Sequence, residues 1–546
     1  MIVSTRLAVG QQHIGCVRDS GLRADGGSGF LVGTRPIMNP TAIRCALLLL
    51  GLPPSAALRA DVTLPAILSE HMVLQQGVAV PVWGKAEPGE KVSVSFADRS
   101  ESATAGADGR WNVRIGPFAA SEQPGTLTIR GRNEITIKDV LVGEVWLGSG
   151  QSNMAMTVTR SRDSEKEQAE ARFPSIRMFR EESHRSDTAQ TEGKGRWVIC
   201  APDTVGAFSA ALYFFGRELH RELRVPVGLI NSSVGGTPIE AWIAPEAQRA
   251  SAELKGFFAA NEGPPKPPSE EERRKYEEDL AKWEKGAQAA KAKKGKAARR
   301  PQNPADVAAR KADIGGLFNG KISPLIPYAV RGFLWYQGEA NTFPDKARFY
   351  EAQLRLLVTD WRARWGQELP FAWAQLPNFG GPGRDWPAVR EAMRNTLALP
   401  RTGMAITIDL GEEKDIHPKN KQEVGRRLSL WALGTVYGRN VPATSGPLPA
   451  GHSVSGGAIK VSFNHANGGL VAPGGVVRGF EVAGADGKWV PAEARIAGES
   501  VVATAADVTH PVAVRYAWAN LPEATLFNGA GLPASPFRLG ANQSGK

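Results

Sequence analysis

Residues 143–154 read Gly143-Glu-Val-Trp-Leu-Gly-Ser-Gly-Gln-Ser-Asn-Met154, and this stretch decides the reading of the fold. Glu144 to Leu147 is short, biased to apolar residues and bounded by glycines, the pattern of a buried strand. Gly148 and Gly150 let the chain turn without a Cβ penalty, and Gln151-Ser-Asn-Met154 can open a helix. A serine where a strand passes into a helix sits at the mouth of an α/β sheet, beside backbone N–H groups able to bind an anion. Such a position suits a nucleophile. It equally suits a helix N-cap, which serine fills well.

Downstream of this stretch, strands alternate with helices. Ser209 to Arg224 has helical apolar spacing and leads into the strand Val225-Pro-Val-Gly-Leu-Ile230. Val330-Arg-Gly-Phe-Leu-Trp335 is followed by an amphipathic helix over Lys346 to Trp365, and Phe371 to Leu376 and Met404 to Asp409 read as further buried strands. Repeated βα units with apolar strands predict a parallel sheet covered on both faces, with the ligand site beyond the carboxyl ends of the strands. Polar, Gly-rich segments lie there: Asn231-Ser-Ser-Val-Gly-Gly-Thr-Pro-Ile-Glu-Ala-Trp242, Trp335-Tyr-Gln-Gly-Glu-Ala-Asn341 and Asp409-Leu-Gly-Glu-Glu-Lys-Asp-Ile-His-Pro418. Together with Ser152 they bring a hydroxyl, backbone amides at Gly235 and Gly236, side-chain amides and an Asp/His pair to one sheet edge. That is the set of groups acyl transfer requires, with His417 taking the proton from Ser152.

Working outward, Asp61 to Asp139 has the alternation and turn signals of a small antiparallel β-domain, for instance Lys91-Val-Ser-Val-Ser-Phe96 and Gly109-Arg-Trp-Asn-Val-Arg114. Such a domain serves as a cover for its neighbour or as a glycan-binding module. Beyond Asn440 the helices stop, and alternating strands such as Ala458-Ile-Lys-Val-Ser-Phe463 announce a second β-sandwich-like domain with a polar tail. The expected division is therefore 1–60, 61–139, 140–440 and 441–546, with a charged insertion at 262–313.

The 546 residues carry a net charge of +11, much of it in Lys266 to Lys311. These lysines and arginines sit in an Ala/Pro/Glu/Lys-rich segment, not on an aromatic-laced face, so nucleic acid is not an expected partner. A lipase would carry a long apolar lid, and this insertion is charged and proline-rich. No apolar run reaches the ~20 residues that span a membrane. Residues 1–37 lack a useful hydrophobic period. Met38 then opens a secretory pattern: Arg44, an apolar core over Cys45 to Leu52 and a small-residue site at Ser55-Ala-Ala57. A start at Met38 and a periplasmic or secreted protein are expected, with Cys200 as the lone cysteine after cleavage. The histidines and cysteines show no metal-ligand spacing, and no phosphate or dinucleotide loop fits its context, so no cofactor and no metal is expected.

The segments Gly150 to Met154, Asn231 to Trp242, Trp335 to Asn341 and Asp415-Ile-His-Pro-Lys-Asn-Lys421 resemble, in order, the motif series of the sialate O-acetylesterase family of SGNH (GDSL-like) hydrolases. The likeness extends over most of Leu64 to Arg538. It implies a three-layer α/β/α domain with a parallel sheet, flanked by β-sandwich-like domains, and a serine esterase removing O-acetyl groups from a sugar or glycan, of sialate or hemicellulose type, through an acetyl-enzyme. Ser152 is the implied nucleophile and His417 the base. The oxyanion hole is the Ser152 N–H, Gly235 or Gly236, and a side-chain amide from Gln337 or, failing that, Asn341. In the wider superfamily the acid lies three residues before the histidine, where this chain has Lys414. Asp415 is taken instead, with Asp409, Glu412 or a Ser/His dyad held by a backbone carbonyl left open. Trp242, Tyr336, Glu339 and Arg390 are further candidates for substrate contact, each also explicable as packing or surface structure. A non-catalytic carbohydrate-binding protein on the same fold and a serine hydrolase of another acyl ester are the competing readings.

Overall fold

One strand, β1 (Glu134–Gly150), carries the quoted stretch and is far longer than the four residues its apolar core suggested. The computed structural model describes residues 61–261, 267–292, 300–305 and 313–540. The export signal and start expected within 1–60 lie outside the described residues, as does the tail 541–546.

The central sheet adds β2 (Phe173–Glu181), β3 (Gly195–Cys200), β4 (Val227–Ser233), β5 (Gly332–Tyr336), β6 (Phe371–Ala374) and β7 (Thr402–Ala405). Its order is β7-β6-β5-β1-β4-β2-β3, parallel throughout except for the edge strand β3, which pairs antiparallel with β2. Successive side chains of a strand point to opposite faces, and here both faces are apolar. Trp146, Leu229, Leu334 and Ala372 meet helices α1 (Ala210–Leu223) and α4 (Lys421–Trp431). Their neighbours Leu147, Ile230, Phe333 and Phe371 meet α2 (Tyr350–Trp365) and pack with Val389 and Met393 of α3 (Trp386–Thr396). Helices on both faces of a mostly parallel sheet give the expected three layers.

Gly148 does not turn the chain. It stays within β1, opposite Asn231 and Leu334, where a Cβ would lie 3.0 Å from the Leu212 side chain of α1. The turn belongs to Gly150, whose φ is +136° and where a Cβ would lie 2.2 Å from the Tyr336 carbonyl oxygen. The helix expected over Lys346 to Trp365 begins at Tyr350, after a separate turn at Pro344–Ala347. Helix α4 begins at Lys421, where the Asn420 side chain accepts the Glu423 N–H as its cap.

The boundary expected at 139/140 falls inside β1. The amino-terminal half of β1 pairs with Val73–Gln75 and Ser121–Arg130, and residues from Val62 to Ile137 share one apolar core with the lower face of the central sheet. The region after 441 has its own core around Val461, Val482, Val501 and Tyr516, between two four-stranded sheets. Within the insertion, Glu270–Ala292 is a helix.

Arg390, a candidate for substrate contact, is instead a buried strut. It is fully buried and donates to the carbonyls of Leu376, Pro377, Ala519 and Asn520 at 2.7–3.0 Å, tying the exit of β6 to the carboxyl-terminal region. Burial without a carboxylate pulls its pKa down to about 9. Each hydrogen bond from a charged group contributes roughly 1.5–3 kcal/mol. Arg390→Met is therefore expected to lower the urea unfolding free energy by about 3 kcal/mol or more, with the KM of the folded fraction unchanged.

Candidate active site

Ser152 opens the one-turn helix Ser152–Ala155 at the carboxyl end of β1. The turn is fixed by both neighbouring strands. The Gln151 N–H donates to the Tyr336 carbonyl at 3.0 Å, and the Val234 N–H donates to the Gly150 carbonyl at 3.0 Å. Backbone bonds to two strands of a packed sheet leave the serine little freedom. The exit of β4 brings Gly235 against it: a Cβ there would stand 3.4 Å from the Ser152 Cβ. With Gly236, at a φ of +73°, it lines a cavity of about 560 Å³ together with Ser152, Glu339, Phe343 and His417. A larger cavity of about 690 Å³, between the antiparallel strand pair Val80–Lys85/Arg110–Ile115 and residues 190–192 and 323–327, contains neither Ser152 nor His417.

His417 Nε2 lies 2.8 Å from Ser152 Oγ. Asp415 Oδ1 accepts the His417 backbone N–H at 2.9 Å and lies 3.5 Å from Nδ1. The two-residue offset thus folds the carboxylate back onto its own loop, leaving the contact with the ring longer than an ordinary hydrogen bond. Burial lowers the His417 pKa, and the Asp415 charge partly opposes the shift. The other acids are committed elsewhere. Asp409 is held by Arg427 at 2.6 and 2.7 Å, and Glu412 accepts the Lys419 N–H at 2.9 Å.

The side-chain amides expected at the oxyanion hole are not at the cavity. Gln337 Nε2 donates to the Thr237 carbonyl and to Asn341 Oδ1 at 3.2 and 2.7 Å, and its Oε1 accepts from Tyr350. Asn341 Nδ2 donates to Glu240 Oε2 at 2.9 Å, while its Oδ1 also accepts the Ile239 N–H. Both amides are fully buried and brace the loop after Gly236 from behind. Trp242 and Tyr336 are corrected in the same way. Each is fully buried, Trp242 donating to Thr237 Oγ1 and packing edge-on against Trp335, so neither offers a face to a sugar. Glu339 does line the cavity, but it is 3% exposed, it accepts from the Asn153 side chain, and burial raises its pKa.

Among the residues at the site that escaped the sequence reading are Asn153, Lys421, Arg384 and Gln302. Asn153 and Lys421 are fully buried behind the Ser152/His417 pair. Arg384 lines the cavity, its guanidinium 3.6 Å from the Phe343 ring centroid, and Gln302 of the insertion lines it too. Asn153 and Lys421 lay within the quoted motifs, but nothing in spacing distinguishes a buried polar partner from a surface one. Arg384 and Gln302 lay in segments with no pattern at all. Among the described residues no group of three or more His, Cys, Asp or Glu side chains is gathered to hold a metal ion, and no helix is long and apolar enough to cross a membrane.

Residues 142–257 and 320–432 match the family model described as carbohydrate esterase, sialic acid-specific acetylesterase. The gap between the two matched blocks contains the charged insertion. The chain is 29% identical to the sialate O-acetylesterase of Rattus norvegicus over 427 residues, 70% of this chain and 75% of that one. It is 28% identical to the Homo sapiens sialate O-acetylesterase over 529 residues, 86% and 91% of the two chains. A solved carbohydrate acetylesterase from Xanthomonas citri superposes with a TM-score of 0.75 at 34% identity, covering 88% of this chain and 99% of that one. At 34% identity over nearly the whole of that solved enzyme, and with a serine and a histidine in contact at the carboxyl edge of its sheet, the chain belongs to the carbohydrate acetylesterases and is a carboxylic ester hydrolase acting in carbohydrate O-deacetylation.

Proposed function

We propose that Ser152 is the nucleophile of this deacetylation, His417 its base and Asp415 the group that orients the base, and that the substrate is an O-acetylated sialic acid or another O-acetylated glycan. The observation that carries the assignment is the 2.8 Å contact between His417 Nε2 and Ser152 Oγ inside a cavity rimmed by Gly235 and Gly236. His417 takes the hydroxyl proton as Oγ attacks the acetyl carbonyl. The charge that develops on the carbonyl oxygen is met by the N–H groups of Ser152 and of Gly235 or Gly236, where no side chain intervenes. His417 then returns the proton to the departing sugar oxygen, leaving acetyl-Ser152, and a water activated by the same imidazole releases acetate. The relatives named for sialate and for carbohydrate acetyl esters support the substrate class.

Ser152→Ala is expected to lower kcat for acetate release by ~10⁶-fold with the fold intact by circular dichroism. Acetate release at the parental rate would remove Ser152 from its role. The substrates for this comparison are an activated acetyl ester and a panel of acetylated sialic acids and hemicelluloses, so the same assay ranks the sugars.

The pH dependence follows from burial. The base must be neutral to accept the proton, and desolvation holds His417 below its usual 6.5. The acid limb of kcat/KM is therefore expected below pH 6.5. Asp415→Asn removes the charge that raises this pKa, so the limb moves further toward acid, not toward neutrality. Because Asp415 is partly exposed and its contact with the ring is long, the loss in kcat is expected near 10²-fold, well under the ~10⁴ typical of a buried triad carboxylate.

A further inference from the structure

His417 lies between Leu410 and Lys421, a stretch without a regular hydrogen-bond ladder. Yet its ring must stay within a few tenths of an ångström of one position relative to Ser152. The Asp415 carboxylate is partly exposed and 3.5 Å from the ring, a poor anchor for that task. The firm hold is elsewhere. Asn153, the residue after the nucleophile, donates through Nδ2 to the carbonyl of Ile416 at 3.0 Å. Lys421 Nζ donates to the carbonyl of Pro418 at 2.7 Å and to Asn153 Oδ1 at 2.7 Å. The backbone carbonyls on either side of His417 are thus gripped by one buried pair, and one member of that pair is covalently next to Ser152.

The remaining bonds fix the pair itself. The Asn153 amide also donates to the Glu339 carboxylate, so its nitrogen meets two acceptors and its oxygen meets a donor, and only one orientation of the amide satisfies all three. Lys421 is fully buried, with its ammonium 5.1 Å from the Tyr336 ring centroid. Burying an ammonium costs several kcal/mol, and an apolar side chain would fill the same volume without that cost. Burial also draws the Lys421 pKa down to about 7. Two of its N–H groups are used, and the neutral amine retains two, so the grip does not depend on its charge.

We propose that Asn153 and Lys421 are positioning residues that set the Ser152–His417 distance by clamping the base-bearing loop to the nucleophile turn, with Glu339 orienting the Asn153 amide. This rests on the roles proposed above for Ser152 and His417. It assigns Glu339 a supporting task behind the nucleophile in place of a contact with sugar.

Lys421→Met keeps the length of the side chain and removes its donors. It is expected to lower kcat by about 10–100-fold with KM within about twofold of the parent, because a displacement of the base of about 1 Å costs up to ~10² in rate. The decisive arm is a double-mutant cycle read by the rate at which a fluorophosphonate probe modifies Ser152. In a His417→Ala background, Lys421→Met is expected to change that rate by less than about twofold, since the clamp acts through the missing imidazole. An equal loss in both backgrounds, a change confined to KM, or an unaltered kcat would overturn the proposal. Should Lys421→Met fail to fold by circular dichroism, Asn153→Ala takes its place in the same cycle with the same expectations. Ser152→Ala run alongside separates the two readings. Retained acetate release there defeats the assignment of the nucleophile, whereas a dead Ser152→Ala with a fully active Lys421→Met defeats only the clamp.

Discussion

A nucleophile at the end of a rigid strand has to meet a base carried on an irregular loop, and the 2.8 Å contact between Ser152 and His417 is the constraint on which the rest of the site depends. The strand side is secured by backbone. Gln151 donates to Tyr336 at the exit of β5, and Val234 at the exit of β4 donates to Gly150, so Ser152 inherits the stiffness of a sheet packed on both faces. The loop side has no such ladder, and side chains supply what the backbone cannot. Asn153, Lys421 and Glu339 occupy the space between the two, all buried, all bonded. Hydrogen bonds in such a low-dielectric setting are strong, and a broken one leaves an expensive unpaired group.

Placement of the oxyanion donors follows the same logic of close backbone approach. At Gly235 the chain passes 3.4 Å, measured from a Cβ position, from the Ser152 side chain, and a bulkier residue there would project into the space where a carbonyl must sit. At Gly150 the backbone turns against the Tyr336 carbonyl at a φ few other residues adopt. The amides of Gln337 and Asn341, chemically suited to an oxyanion, are spent holding this backbone in place. Preorganisation here is layered: buried side chains fix a loop, and the loop presents its N–H groups.

Charges buried away from the site do comparable work at longer range. Glu144, the one acid in the apolar start of the quoted stretch, is 1% exposed and receives Arg331 at 2.7 and 2.9 Å and the Tyr437 hydroxyl at 2.9 Å, so β1 is tied to β5 and to the chain after α4. Glu240 accepts from Lys346 at 2.6 Å and from Asn341, joining the loop after β4 to the segment before α2. Arg390 joins β6 to the last β region through carbonyls alone. Each is a long-range link between segments whose relative placement apolar contact leaves loosely specified.

Much of this was legible in the sequence because it depends on local periodicity. Apolar runs flanked by glycines mark the strands, their alternation with helical segments marks a parallel sheet, and the rule that ligands bind beyond the carboxyl ends of such strands brings Ser152, Gly235, Gly236 and His417 to one edge. What the sequence could not determine was the direction in which polar side chains face. Gln337 and Asn341 lie on the correct segment and point into the scaffold; Trp242, Tyr336 and Arg390 are of types suited to sugar or acid recognition and are buried; Arg384 and Gln302 reach the cavity from segments with no pattern. Spacing along the chain fixes which face of a strand a residue occupies but not how a loop folds back over its end. That depends on contacts between residues far apart in the chain, as Lys421 is from Asn153 by 268 positions, and only the tertiary structure brings those together.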